Sequence, residues 1–230
     1  MRNVLILDTE TTGLSAFPNG LTGSKGVLAQ VAAILYNVEN RASISQFSTL
    51  LPVEINPQIG VNRIKPNVSQ EVSESLLKTG LSVLDVMALH ADAIVAHNAG
   101  FDRQWINGQI LPAMPWICSY KDINWQPIKN TDLVRLAVAH DVPIINAHDG
   151  LGDCQLLASI FSKRNDLEEL LADALRPKYR VKAMVTKEQK ELAKDHGFKA
   201  VYNNGVFSHW EKLINEKDLN EFPFDCQVVG

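Results

Sequence analysis

Asn3-Val4-Leu5-Ile6-Leu7-Asp8-Thr9-Glu10-Thr11-Thr12-Gly13 decides how the rest of the chain is read. Residues 3–8 form a nearly continuous apolar run ending in Asp8, which predicts a strand buried on both faces. Residues two apart on a strand point to one face, so Asp8 and Glu10 present two carboxylates together at the strand's end. Close carboxylates repel and raise each other's pKa unless cations lie between them. Hard divalent ions such as Mg²⁺ or Mn²⁺ suit oxygen ligands of this type and usually also bind substrate phosphate. Thr11, Thr12 and Gly13 leave little side-chain bulk where a phosphate or sugar would approach. Read alone, the pair is equally compatible with a solvated strand end.

Outward from this strand, residues 15–26 hold three glycines, Pro18 and Asn19 and read as a loop. Val27 to Tyr36 and Ser43 to Leu50 are expected strands, linked by a hairpin at 37–41. Residues 57–79 are polar with short apolar touches, which predicts small helices and loops. Leu81 to His90 repeats apolar residues at helical spacing, and Ala93 to Ala96 reads as a second buried strand. A helix is expected from there to about Asn107, with amphipathic helices at 133–139 and 151–161. Strands come early and helices then alternate with short strands, which predicts an α/β domain with a mixed central sheet flanked by helices.

Two further stretches bear on chemistry. His97-Asn98-Ala99-Gly100-Phe101-Asp102 follows the second buried strand, with Asp102 in a first helical turn, where the helix dipole favours a carboxylate. In His148-Asp149-Gly150-Leu151-Gly152-Asp153, five helical residues would set His148 and Asp153 about 140° apart. His148 is therefore expected in the loop before the helix, with Asp153 in its early turns. Each stretch alone also has an ordinary structural explanation.

Together, in order and spacing, the three stretches resemble the Exo I, Exo II and Exo III motifs of the DEDDh (DnaQ-like) 3′→5′ exonuclease family, which includes the epsilon proofreading subunit of bacterial DNA polymerase III. Gly150 departs from the pattern, since the family more often has alanine there. Pro115-Trp116-Ile117-Cys118-Ser119 also resembles epsilon-like members, and the likeness spans roughly residues 3–165. The resemblance implies a ribonuclease H-like fold. It implies that Asp8, Glu10, Asp102 and Asp153 hold two divalent ions, Mg²⁺ or Mn²⁺, with His148 as general base. It further implies contacts to the terminal nucleotide from Thr11, Thr12, Gly13, Leu14 and Asn98, and release of nucleoside 5′-monophosphates from a 3′ end. The expected substrate is mainly single-stranded DNA, with RNA trimming as the alternative and an inactive binding or scaffold module as a remote one. A DNA polymerase or repair complex is a partner the resemblance allows; oligomeric state is not indicated.

Composition frames these expectations. The chain has 230 residues, 46% hydrophobic and 21% charged, as in an ordinary globular protein. No apolar run approaches the length of a membrane span, and the amino-terminal stretch lacks the pattern of a signal peptide. Cys118, Cys154 and Cys226 are scattered and form no C-x-x-C pair, which favours a reducing cytoplasm over a disulfide framework or zinc site. The net charge of −4 does not advertise a nucleic-acid binder. Its distribution says more: residues 1–175 hold 12 Lys and Arg against 18 Asp and Glu, whereas residues 176–199 hold 8 against 3. An acidic body repels a polyanion unless its carboxylates hold cations.

The shift in composition places a boundary at Arg176, giving an exonuclease domain at 1–175 and a small basic α+β appendage at 176–230. Thr186-x-x-Gln189 is a capping-box pattern, Gly197 suits a helix end, and residues 199–213 predict a hairpin turning at Asn204-Gly205. Lys187, Lys190 and Lys194 share one helical face beside a stripe of Glu188, Glu191 and Asp195, as solvated surfaces do. Tyr202, Phe207 and Trp210 read either as the appendage's core or as a stacking platform for single-stranded bases. An auxiliary substrate grip is the working expectation for this segment.

Overall fold

Val4, Leu5, Ile6 and Leu7 are fully buried, as expected for a strand covered on both faces. They belong to β1 (Asn3–Thr11), which runs three residues beyond the apolar stretch before its register shifts at Glu10/Thr11. The computed structural model describes residues 1–14, 26–51, 53–65, 70–106, 111–128, 130–144 and 149–229, with backbone alone over 70–77. The described residues form two compact units, Met1–Leu175 and Arg176–Gly230.

In the first unit β1 is followed by β2 (Leu28–Asn37) and β3 (Ala42–Leu50), then by α1 (Ile59–Asn62), α2 (Gln70–Leu89), β4 (Ala93–Ala96), α3 (Ala99–Asp102), β5 (Trp116–Cys118), α4 (Leu133–Ala139), α5 (Gly150–Ser162) and α6 (Leu167–Leu175). The sheet order is β3-β2-β1-β4-β5. β1, β2 and β3 pair antiparallel, while β4 and β5 continue parallel to β1. This is a mixed α/β sheet with helices on both faces.

Side-chain alternation along β1 divides the core. Val4 and Ile6 pack with Cys154, Leu157 and Phe161 of α5 and Leu171 of α6. Leu5 and Leu7 pack with Leu84 and Met87 of α2 and with Trp105. Asp8 and Glu10 continue the alternation of Val4 and Ile6, so both carboxylates lie on the α5 side.

Two expectations are corrected here. α1 is one of the small helices expected over 57–79, but from residue 70 a 20-residue helix, α2, replaces the rest and absorbs the helix expected at 81–90. Its Gly80 explains part of the misreading, because glycine weakens a helix on propensity alone. A Cβ at Gly80 would lie 2.8 Å from the Phe47 ring, so the glycine lets α2 approach β3. The helix expected to reach Asn107 is regular only over α3 and continues as turns to Ile106. Cys118 closes β5, a three-residue strand too short to show a period.

The second unit is a four-stranded antiparallel sheet of order β7-β8-β6-β9 with one short helix. Its elements are β6 (Lys178–Ala183), α7 (Lys190–Asp195), β7 (Lys199–Asn203), β8 (Val206–Asn215) and β9 (Cys226–Val228), with a 3₁₀ turn at Glu216–Asp218. Val181, Ala183, Ala193, Phe198 and Ile214 are its buried core, with Phe222 and Phe224 packed against it. Asn204 and Gly205 both take positive φ, as the tight hairpin between β7 and β8 requires. Gln189 accepts a hydrogen bond from the Thr186 N–H at 3.0 Å, half of a capping box, and α7 begins only after Gln189.

Candidate active site

The sheet edge above β1 collects carboxylates from three elements. Asp8 and Glu10 project from β1, and Asp153 projects from the first turn of α5. One carboxylate oxygen from each lies within 4.8 Å of the others, close enough to share a cation. Asp102, at the end of α3, is almost fully buried beside them and is held by β1 itself. Its Oδ1 accepts hydrogen bonds from the Thr9 N–H at 3.1 Å and the Thr9 hydroxyl at 2.8 Å. Asp102 therefore stands next to the three-carboxylate group, with one oxygen tied down.

The start of α5 is fixed by contacts absent from the motif pattern. Asp149 caps the helix, accepting from the Gly152 N–H at 3.2 Å. Gln30, buried in β2, donates to Asp149 at 3.0 Å and to Ser48 at 3.0 Å, and accepts from the Gly150 N–H at 3.1 Å. Gly150, where the resembled family more often carries alanine, leaves room for this bond. A Cβ there would stand 3.2 Å from Gln30 Oε1 and 3.4 Å from Asp8 Oδ2. Gln30, Asp149 and Thr9 are thus site residues the sequence reading missed. The signal for Gln30 was present: it is a lone polar residue inside the apolar run 28–36.

Electrostatics follow from the crowding. Burial, then the charges of Asp102, Asp153, Glu10 and Asp149, push the Asp8 carboxyl well above its ordinary range. Burial, then Asp153, Asp149 and Asp102, raise Glu10 to about 7. Burial raises Asp102 to about 7, against the Thr9 hydrogen bonds, which favour its charged form. His97 lines a small cavity together with Asp8 and Asp153. Burial lowers it to about 4, so it is neutral at pH 7 while it exchanges a 2.9 Å hydrogen bond with Ser119. A cluster of oxygen donors that repel one another fits one or more hard divalent cations and fits an anion poorly.

The other expected residues are placed as follows. The Thr12 N–H donates to the Val27 carbonyl at 3.0 Å, and the Thr12 hydroxyl accepts from the Val27 N–H at 2.9 Å. The Thr11 carbonyl accepts from Asn62 at 3.0 Å. A Cβ on Gly13 would lie 3.0 Å from Gly26 Cα, so the chain passes closely there. Leu14 follows with its side chain 83% exposed. Asn98 adopts left-handed backbone just before α3, with its side chain exposed. His148 lies outside the described residues.

With this geometry in place, likeness to known structures is informative. The nuclease domain of 3′hExo, described as a DEDDh family member bound to rAMP, superposes with a TM-score of 0.53 at 18% identity, covering 76% of this chain and 95% of that one. The body has the fold of the DEDDh exonucleases. Exonuclease X, in complex with 5′-overhanging duplex DNA, matches with a TM-score of 0.50 at 22% identity over 74% of this chain and 99% of its own. In sequence, the chain is 22% identical over 202 residues to a PolC-type DNA polymerase III of Caldanaerobacter subterraneus subsp. tengcongensis. That match covers 83% of this chain and spans 13% of the polymerase. No protein-family model matches the chain. Among the described residues, no helix is long and apolar enough to cross a membrane.

Proposed function

We propose that the chain is a metal-dependent 3′→5′ exonuclease that releases nucleoside 5′-monophosphates from the 3′ ends of single-stranded DNA. The observation that carries this reading is the convergence of Asp8, Glu10 and Asp153 within 4.8 Å on a nuclease-like fold, with Asp102 beside them. Asp8, Glu10, Asp102 and Asp153 would hold two Mg²⁺ or Mn²⁺ ions, which when bound offset phosphate charge and make a water more acidic. His148 takes the proton of the attacking water, a task that imidazole suits near neutral pH. Thr11, Thr12, Gly13, Leu14 and Asn98 border the terminal nucleotide.

DNA is favoured as substrate by the likeness to Exonuclease X with its duplex DNA and to the polymerase. The latter likeness is also the support for a polymerase or repair complex as partner. Free Cys118, Cys154 and Cys226 support a cytoplasmic location. The reading is tested with oligonucleotides labelled at the 3′ or the 5′ end, in DNA and RNA form. Immediate release of labelled mononucleotide from the 3′ label, and a descending ladder from the 5′ label, is expected for DNA. Internal cleavage, or loss from the 5′ end, contradicts the reading. Faster trimming of RNA replaces the substrate and leaves the chemistry.

A further inference from the structure

The second unit holds an open groove of about 830 Å³ between β6, the segment leading to α7, and the β7–β8 hairpin. Tyr202 on β7 and Phe207 on β8 are cross-strand partners with ring centroids 6.0 Å apart, and Phe207 leans on Trp210 at 5.6 Å. The three rings form a continuous ladder. Trp210 is packed into the core, but Tyr202 is 62% exposed and Phe207 47%, so the outer rungs are not core residues. Exposed aromatic surface of this kind usually marks a binding site.

The groove is also positive. Lys182, Lys187 and Lys190 line it together with His209, and no acidic residue does. Acids around it are engaged: Glu188 by a hydrogen bond with Thr186, Glu191 by Lys194 at 2.8 Å and Lys190 at 4.0 Å, and Glu211 by Arg180 at 2.7 Å and His209 at 3.4 Å. Among the described residues, Lys182 and Lys187 make no ion pair. Exposed aromatic rings flanked by the ammonium groups of Lys182 and Lys187 suit a ligand that alternates flat bases with phosphates. An acidic peptide would use the lysines and leave Tyr202 and Phe207 uncovered.

We infer that this groove is a binding site for single-stranded nucleic acid, with Tyr202 and Phe207 stacking bases and Lys182, Lys187 and Lys190 holding the backbone. The choice of nucleic acid as occupant rests on the nuclease reading of the body, whereas the binding itself needs neither metal nor cleavage. The two fail separately in a test made on the full chain in EDTA. Fluorescence anisotropy is followed with labelled oligothymidylate, oligouridylate and a duplex of the same length.

Tyr202→Ala and Phe207→Ala should each weaken single-strand binding by about fivefold or more, with the salt dependence unchanged. The triple change Lys182→Gln, Lys187→Gln, Lys190→Gln should lower the slope of log K against log salt by about two. Near-UV circular dichroism of each variant verifies the fold, and the lysine changes, at charged groups on the surface, serve if an aromatic variant unfolds. Preference for either the DNA or the RNA strand supports the inference. Wild-type affinity in the folded aromatic variants overturns it, as does an equal preference for duplex or displacement by polyglutamate at equal charge. Binding retained in a chain without nuclease activity overturns the proposed function alone.

Discussion

The carboxylate cluster of the first unit and the groove of the second are opposite answers to one problem, holding a polyanion. The cluster is acidic and crowded at the end of a fully buried strand: burial and neighbouring charges drive up Asp8 and Glu10, and burial drives up Asp102 against its Thr9 hydrogen bonds. It becomes attractive to phosphate only after cations enter. The groove is open, aromatic and already basic, and requires nothing further. The first arrangement stores repulsion in exchange for chemistry; the second offers contact without chemistry. Replacing residues in the two regions should therefore have effects of different kind as well as size.

The largest effects belong to the cluster. Asp8→Asn should reduce nuclease turnover by on the order of 10³-fold, because the oxygen set can no longer hold and orient charge at the phosphate. His148→Ala should lower turnover by about 10²-fold or more while leaving Mn²⁺ affinity within a few-fold. Calorimetric Mn²⁺ titration beside a single-turnover assay separates the two roles. Loss of metal binding in His148→Ala would remove it as the general base.

Next come the contacts that aim the carboxylates. Gln30→Leu leaves the buried Gly150 N–H without its acceptor and frees Asp149, so it should cost about 1–3 kcal/mol in urea unfolding. Its activity should fall more than its stability explains, since Asp153 rides on the helix that Gln30 fixes. An unchanged rate in folded Gln30→Leu would show that the cap alone positions α5.

Acidity gives a smaller, signed effect. Glu10 and Asp102 have folded pKa values near 7, above their ordinary values of 4.5 and 3.8. Their contribution to stability is complete below about pH 4 and is lost as pH rises through about 7. Metal-free protein should therefore lose melting temperature from these groups between pH 5 and 8. Glu10→Gln should recover part of it, on the order of 1 kcal/mol after solvent screening. A melting temperature that rises over this range in EDTA, and does so equally in Glu10→Gln, would contradict the cluster's electrostatics. The smallest effect is expected in the groove, where Tyr202→Ala should alter unfolding free energy by no more than about 0.5 kcal/mol.

How far each region could be read from sequence follows from the same contrast. Asp8 and Glu10 were legible because strand alternation fixes their common face. Asp153 was legible only through its order and spacing with the other two stretches, since a lone His-x₄-Asp also has an ordinary structural explanation. Gln30 and Asp149 were not, because a hydrogen bond between residues 119 apart leaves no local period. In the fold, α2 was understated because Gly80 weakens a helical pattern whose true reason is the approach to Phe47. β5 was missed because three residues cannot show alternation. For Tyr202, Phe207 and Trp210 the sequence left core and platform open. The structure divides them, with Trp210 inward and the other two outward.

The most direct measurement is the melting temperature of wild type and Asp8→Asn at pH 8, in EDTA and across a Mn²⁺ titration. The account expects Asp8→Asn to melt higher than wild type in EDTA, and Mn²⁺ to raise wild type saturably while scarcely moving the variant. Equal Mn²⁺ stabilisation of both proteins, or none in wild type, would contradict the claim that these carboxylates are a metal site.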